Sequence, residues 1–435
     1  MARANIDEAR GALSGDPTKR RNIFQVLGPG VITGASDDDP SGIATYSQAG
    51  AQFGYDLGWT LLFSWPLMCA IQEISARIGR VTGHGVAGNL KRHYPAALLY
   101  PLMLLLVAAN TINLGADLGA MAAGLGLLVK GPQLLFVAAF GALCLLLEVF
   151  VRYSRYVSIL KWLTLSLFAY VGVALEVKTP WAEVFHHLVI PSVRFEPGYL
   201  TVVVAVLGTT ISPYLFFWQA EEEVEEVQGR ADAKPLRSAP EQAVPEFRRI
   251  RIDTMIGMAF SNLVALFIVI STAATLHAHG VTNIQTSAQA AEALRPICGD
   301  LVFVVFALGI IGTGLLAVPV LAGSAAYALG EAIGVRVGLA RKLKRAKAFY
   351  GILALMVLGG ALLNFTPIDP IKALFWSAVI NGVVAVPVMV MMMLLSSNRK
   401  VMGQFALPSP LRAVGWAATA VMAVAAVGMF ATWGA

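Results

Sequence analysis

Charge is what this chain of 435 residues has least of: Asp, Glu, Lys and Arg make up only 13% of it. An ordinary soluble domain carries about 25% charged residues, enough to cover its surface with groups that water solvates well. The shortage excludes that kind of surface. Cysteine is scarce too. Cys69, Cys144 and Cys298 are too scattered for a CxxC-type metal or redox site, and Cys69 and Cys144 sit in apolar runs where they read as small packing residues. The six histidines, His186–His187 and His277–His279 among them, read as loop residues rather than a metal centre. The opening stretch MARANIDEARGALSGDPTKRR is polar and basic, with no apolar core leading to a small-residue cleavage site. It is expected to be a cytoplasmic arm over residues 1–22, not a cleaved leader.

What the chain has instead is apolar length. Hydrophobic residues make up 57% of it and the mean hydropathy is +0.69, the composition of a polytopic membrane protein. About 20 apolar residues cross a bilayer core as a helix. Runs of that kind fall near 24–53, 57–76, 97–129, 132–151, 156–176, 198–219, 252–276, 300–330, 348–364, 371–396 and 412–432. The expectation is therefore an all-α polytopic membrane protein with eleven transmembrane helices. With the amino terminus inside, 27 of the 32 lysines and arginines lie on the cytoplasmic side. Only Lys130, Lys178, Arg194, Arg295 and Lys372 lie outside, as the positive-inside rule requires. The net charge of +6 is thus a mark of topology, and no nucleic-acid partner is expected.

Between spans 6 and 7 the connection AEEEVEEVQGRADAKPLRSAPEQAVPEFRRIR is charged and proline-containing, and reads as a flexible linker. Its acidic start, Glu221 to Glu226, reads as a solvated face. A basic cluster, RVGLARKLKRAK, precedes span 9. Neither suggests a soluble domain, so residues 23–435 form one membrane domain.

Two spans are interrupted at corresponding places. Span 1 contains DDDPSG, with Pro40, and span 6 contains GTTISPY, with Pro213 flanked by Thr209, Thr210 and Ser212. These spans are five apart and cross in opposite directions. Paired, proline-broken segments in two inverted halves point to a transporter's central site. Proline removes a backbone donor and frees carbonyl oxygens, which a cation can satisfy. A simple kink is the competing reading of each proline. The carboxylates of Asp37, Asp38 and Asp39 weigh against it, since a charge at the bilayer centre costs at least about 2.5–3.5 kcal/mol and normally marks an ion path. Carboxylate, carbonyl and hydroxyl oxygens suit Mg, Ca or Mn.

On these residues the chain resembles a known family. GPGVITGASDDDPSGIATYSQAGAQFGY resembles the first span of the Nramp family of divalent metal transporters, GTTISPYLFF its sixth, and WTLLFSWPLMCAIQEISARIGRVTG its second. The resemblance implies a LeuT-type five-plus-five inverted repeat with helices 1 and 6 broken. The first repeat would span about 23–177, the second about 198–396, with an extra helix at about 411–433. It also implies a metal site built on the first-span motif DPGN and on a sixth-span motif with Ala and Met before Pro-His. Carried over, the motif aspartate is Asp39 and the proline Pro40, while Ser41 replaces Gly and Gly42 replaces the ligating Asn. Thr209 falls at the alanine, which contributes a carbonyl, Ser212 at the methionine and Tyr214 at the histidine after Pro213.

Losing the thioether and the Asn carbonyl leaves a harder site with room for water. Mg dehydrates reluctantly and keeps several waters, so the site resembles the Nramp-related magnesium transporters more than manganese and iron carriers. Asp37 and Asp38 are extra acids, with Thr210 alongside, that bind through water or raise the negative potential of the vestibule. The third span, ANTINLGADLGAM, resembles the family's acidic proton path: Asp117 is retained, but Asn110 and Ala120 stand where acids usually occur. A proton-carrying and a structural role for Asp117 both stand open.

The function implied is secondary transport of divalent cations, Mg or Mn and by extension Fe, into the cytoplasm across a bacterial inner membrane. The metal is substrate, no cofactor is expected, and proton coupling is an open question. Two alternatives stand beside it. One is a carrier of an ammonium-bearing organic solute on the same fold. The other is an intramembrane aspartyl hydrolase using Asp39 and Asp117 as a dyad, which the residues around Asp117 do not resemble.

Overall fold

Residues 29–151 and 164–433 are described in a computed structural model. The arm expected over 1–22, the first residues of span 1 and residues 156–163 of span 5 lie outside the described residues. The rest is helical. Span 1 is α1 (Pro29–Asp37) and α2 (Pro40–Phe53). Span 2 is α3 (Gly58–Thr82), followed by the short α4 (Val86–His93). Spans 3 and 4 are α5 (Ala96–Gly126) and α6 (Gln133–Phe150), and α7 (Phe168–Glu176) belongs to span 5. After α8 (Trp181–Val189) in a connection, span 6 is α9 (Pro197–Thr210) and α10 (Pro213–Gly229). The remaining spans are α11 (Ala243–Thr275), α12 (Val302–Ile333), α13 (Lys347–Leu363), α14 (Pro370–Ser397) and α15 (Ser409–Thr432).

Seven segments among the described residues are long and apolar enough to cross a membrane, from 96–126 to 409–432. The other four expected spans fail that simple measure for visible reasons. Span 1 is cut into pieces of 9 and 14 residues, α3 carries Glu73, Arg77 and Arg80, α7 adjoins undescribed residues, and α13 has 17 residues.

The two breaks are true helix ends, not kinks. A residue before proline is pushed out of the α region. Asp39 takes φ −70°, ψ 170° and Ser212 φ −78°, ψ 131°, and each following proline begins a new helix at its first position. Proline alone does not decide this, because Pro66, Pro101, Pro319 and Pro387 lie inside uninterrupted helices. Asp39 adds a cap: its carboxylate accepts the Gly42 N–H and satisfies an orphan donor of the new helix.

The halves pair across the break, α1 with α10 and α2 with α9, so the two spans run antiparallel. α1 lies on α11 through glycine, since a Cβ on Gly30 would stand 2.7 Å from the Thr254 nitrogen. Asp253 on α11 accepts the Gly30 N–H at 2.7 Å and so caps α1.

The connection that follows α10 lies against the end of α3. Here the sequence expectation of a flexible linker fails. Leu236 is buried, and the N–H groups of Leu236 and Arg237 donate to the Arg80 and Val81 carbonyls at the end of α3. Burial of one leucine and two backbone bonds dock the connection to the bundle. The acidic start of that connection is not a solvated face either. Glu221 and Glu223 are buried, and Glu223 pairs with Arg249 of α11 at 2.5 Å.

Candidate functional site

The four ends created by the breaks meet in the middle of the bundle. α1 ends at Asp37 with its carbonyls, and α2 starts with its amides capped by Asp39. Opposite, α9 ends at Thr210 and α10 starts at Pro213. Helix ends of this kind present partial charges of both signs to one point.

Asp39 is only 2% exposed and is fully engaged. Its Oδ1 accepts from Ser41 Oγ at 2.6 Å and from the Gly42 N–H at 2.7 Å, and its Oδ2 accepts from Asn113 Nδ2 at 3.0 Å. Asn113 on α5 is positioned in turn by the Ser377 hydroxyl of α14, which donates to its Oδ1 at 2.6 Å. Residues from spans 1, 3 and 10 thus orient one carboxylate. Asp37 and Asp38 turn toward α11, where the Ser261 hydroxyl lies 2.6 Å from Asp37 Oδ2 and 3.1 Å from Asp38 Oδ1. One hydroxyl proton serves one of them at a time, and Asp37 Oδ1 has no partner. Neither acid is exposed, so they do not line an open vestibule.

Gly42 looks into the same space. A Cβ there would stand 3.3 Å from the Tyr46 ring, 3.4 Å from the Asp37 carbonyl oxygen and 3.5 Å from Asp39 Oδ1. The Tyr46 ring occupies part of the room that a longer side chain at 42 would take. Its hydroxyl is 2.6 Å from Thr209 Oγ1, tying α2 to α9. Thr210 hydrogen-bonds back to the Val206 carbonyl at 3.1 Å. The Ser212 hydroxyl is shared between the carbonyls of Gly208 at 2.6 Å and Thr209 at 2.8 Å. It therefore serves the carbonyls released by the break. Tyr214 closes the circle by donating to the Ser36 carbonyl at 3.2 Å.

Asp117, 0% exposed, has no hydrogen-bond partner on either carboxyl oxygen. No hydrogen bond joins it to Asp39, the contact that a proton-sharing hydrolytic dyad is built on. Asn110 is fixed to neutral partners, donating to the Leu321 carbonyl at 3.0 Å and Ser324 Oγ at 2.8 Å.

The site thus unites Asp39, Gly42, Thr209 and Ser212 around the two breaks, with Asp37, Asp38 and Thr210 behind them. Sequence reasoning missed Asn113, Ser377, Ser261 and Tyr46. Asn113 alone had a local signal, as a polar residue one helical turn before Asp117. Among the described residues no three of His, Cys, Asp and Glu converge into an all-protein metal cage. None of the described lysines and arginines pairs with Asp37, Asp38, Asp39 or Asp117.

Fold and site define an all-α polytopic membrane protein with two broken helices meeting at a buried acidic centre. Residues 30–432 match the Nramp family, natural resistance-associated macrophage protein-like, and the chain belongs to that family. It is 30% identical over 416 residues to the divalent metal cation transporter MntH of Chromohalobacter salexigens, covering 91% of this chain and 88% of the relative. To MntH of Burkholderia ambifaria it is 26% identical over 433 residues, covering 98% and 92%. A crystal structure of the Eremococcus coleocola manganese transporter shares its fold at a TM-score of 0.73 and 18% identity, covering 96% and 89%. A nucleobase-cation-symport-1 family transporter shares the fold at a TM-score of 0.52 and 13% identity, covering 93% and 92%.

Proposed function

We propose that this protein carries divalent metal cations into the cytoplasm by alternating access, with Asp39 as the main anionic ligand of a mid-membrane site. The observation that carries this reading is electrostatic. Three buried carboxyl groups at the first helix break, with Asp117 of α5 near Asp39, have no cationic partner among the described lysines and arginines. Buried charges without partners are strongly unfavourable, so cations from solution are the natural complement. The names of the MntH relatives agree. With 27 of the 32 lysines and arginines in the arm and in the connections on its side, the amino terminus is cytoplasmic by the positive-inside rule, in a bacterial inner membrane.

The finer part of the proposal concerns the metal. Asp39, the carbonyls at the ends of α1 and α9, and water form a hard oxygen set with no thioether at Ser212 and no side-chain carbonyl at Gly42. That set favours Mg, with Mn tolerated and Fe carried less well. Proton coupling is weak, because Asn110 is a neutral group locked to its neighbours and only Asp117 remains of the acidic path.

Mn uptake into proteoliposomes, with excess Mg outside and with or without an inward proton gradient, tests both parts. Strong competition by Mg and little response to the gradient are expected. Mn uptake that ignores Mg and accelerates with protons would overturn the hard-site and weak-coupling arguments. Absence of uptake of either metal, with transport of an ammonium-bearing solute instead, would overturn the whole reading.

A further inference from the structure

The basic cluster RVGLARKLKRAK, unused by the central site, covers residues 336–347, the loop after α12 and the start of α13. One side of this loop is fixed. Ala346 is buried, and Val337 and Leu339 pack against the core cluster that holds Phe349 and Leu353. The Leu339 N–H is shared between Glu225 of α10 at 2.6 Å and the Tyr327 hydroxyl of α12 at 3.0 Å. The Tyr350 hydroxyl of α13 donates to the Arg341 carbonyl at 3.0 Å and to the Leu339 carbonyl at 3.3 Å. Three helices thus hold one loop in a defined shape.

The other side is cationic. Arg336, Arg341, Lys342, Lys344, Arg345 and Lys347 are all exposed, and the chain has no acid between Glu331 and Asp369. Glu225 of α10 is engaged as described, and Glu331 of α12 accepts the Gly85 and Gly88 N–H groups at 3.0 and 2.7 Å. Arg341 folds back, its Nε donating to the Val337 carbonyl at 2.8 Å. None of the six cations pairs with an acid among the described residues. Lys342, Lys344, Arg345 and Lys347 crowd the start of α13, where no side chain caps the helix. The dipole there is itself positive, so these charges repel both it and one another. Among them Leu343 is 45% exposed, and Ile333 at the end of α12 is 50% exposed. Apolar side chains beside lysines at the ends of spans belong where headgroups meet acyl chains.

We propose that this loop is a docking surface for anionic lipid headgroups, whose phosphates lie among Lys342, Lys344, Arg345 and Lys347 while Leu343 enters the acyl boundary. Clusters of about 4–8 lysines and arginines at the end of a membrane helix attract anionic lipid. The loop is tied at both ends to spans, so the bilayer surface is the negative partner within its reach. A signal for topology needs only the charges. It does not need a loop fixed on three helices with a leucine turned outward. Glu225 also links the loop to α10, which begins at the central break. On the transport reading above, lipid bound here steadies α10, and uptake depends on the anionic fraction of the leaflet.

The test follows thermal melting of the full chain, purified in a nonionic detergent, against added phosphatidylglycerol, phosphatidylcholine or inorganic phosphate. Phosphatidylglycerol is expected to raise the melting temperature of the wild type, and high salt to suppress the rise. Phosphatidylcholine and inorganic phosphate are expected to leave it unchanged. In the triple variant Lys342→Gln, Lys344→Gln, Arg345→Gln each lost charge weakens binding about fivefold. The lipid concentration giving half the rise should therefore increase about a hundredfold. Leu343→Ser should weaken binding severalfold and leave its salt dependence intact. A rise equal with phosphatidylcholine would overturn the proposal, and that comparison needs only the wild type. So would a rise reproduced by inorganic phosphate, which would make the loop a phosphate site, or a triple variant that responds as the wild type does. Because melting is read without transport, failure of the uptake reading leaves this result standing on its own.

Discussion

Replacing Asp39 with Asn separates the carboxylate's electrostatic part from its structural one. The structural loss is small. The introduced amide oxygen can still accept from Gly42 N–H and Ser41 Oγ, which hold Asp39 Oδ1 at 2.7 and 2.6 Å. The introduced amide nitrogen would then face Asn113 Nδ2, now 3.0 Å from Oδ2. A flip of the Asn113 amide repairs that clash, since the Ser377 hydroxyl can accept as well as donate. Exchanging charged for neutral hydrogen bonds costs about 1–2 kcal/mol of stability. The electrostatic loss is larger. Unit charges 4 Å apart attract by about 4 kcal/mol at an effective dielectric constant of 20, and a divalent cation doubles that to about 8 kcal/mol before desolvation. If a third survives desolvation, about 2.7 kcal/mol is lost, roughly a hundredfold in affinity. Initial rates of Mn uptake against Mn concentration, with thermal melting of the same preparation, check this. Half-saturation within threefold of wild type at an undiminished maximal rate would refute the role given to Asp39.

Two further substitutions probe the surroundings of that carboxylate. Gly42→Asn adds a carbonyl where a Cβ would stand 3.3 Å from the Tyr46 ring, so the variant folds by a shift of that ring of a few tenths of an ångström, which thermal melting checks. Mn uptake should then become severalfold less sensitive to Mg in the competition assay, and an unchanged ratio would mean position 42 does not reach the metal. Asn113→Leu removes the donor to Asp39 and the acceptor for Ser377 together. Uptake should fall at least tenfold, with a loss of about 1–3 kcal/mol from the Asp39 oxygen left without its donor, read as a lowered melting temperature, while the Ser377 hydroxyl keeps the Leu374 carbonyl.

Much of this site was legible in the chain because its signals are local. Acids and prolines inside apolar runs stand out against lipid, and Asp39, Pro40 and Pro213 announced the breaks without reference to any neighbour. The partners of Asp39 were not legible in the same way. Asn113 was visible as one polar residue in span 3, but nothing near it indicated that it would face span 1 or be held by Ser377 of span 10. Ser261 looks like any hydroxyl in span 7 until it is found between Asp37 and Asp38. The errors have the same origin. A charged connection with prolines resembles a linker when its docking surface on α3 is out of view, and EEEVEE resembles a solvated face when Arg249 is.

By itself the sequence determined that the chain lives in a membrane and marked two of its spans as the ones to be broken. Those properties follow from hydropathy, from the steric demand of proline and from the cost of charge in lipid, all of which act along the chain. Only the tertiary structure decided what each buried carboxyl group faces. Asp39 is oriented by spans 3 and 10, Asp117 is left without a hydrogen bond, and Glu223 is set against Arg249. Electrostatic and hydrogen-bond partners are chosen by distance in space, and helix packing brings together residues that the chain holds far apart.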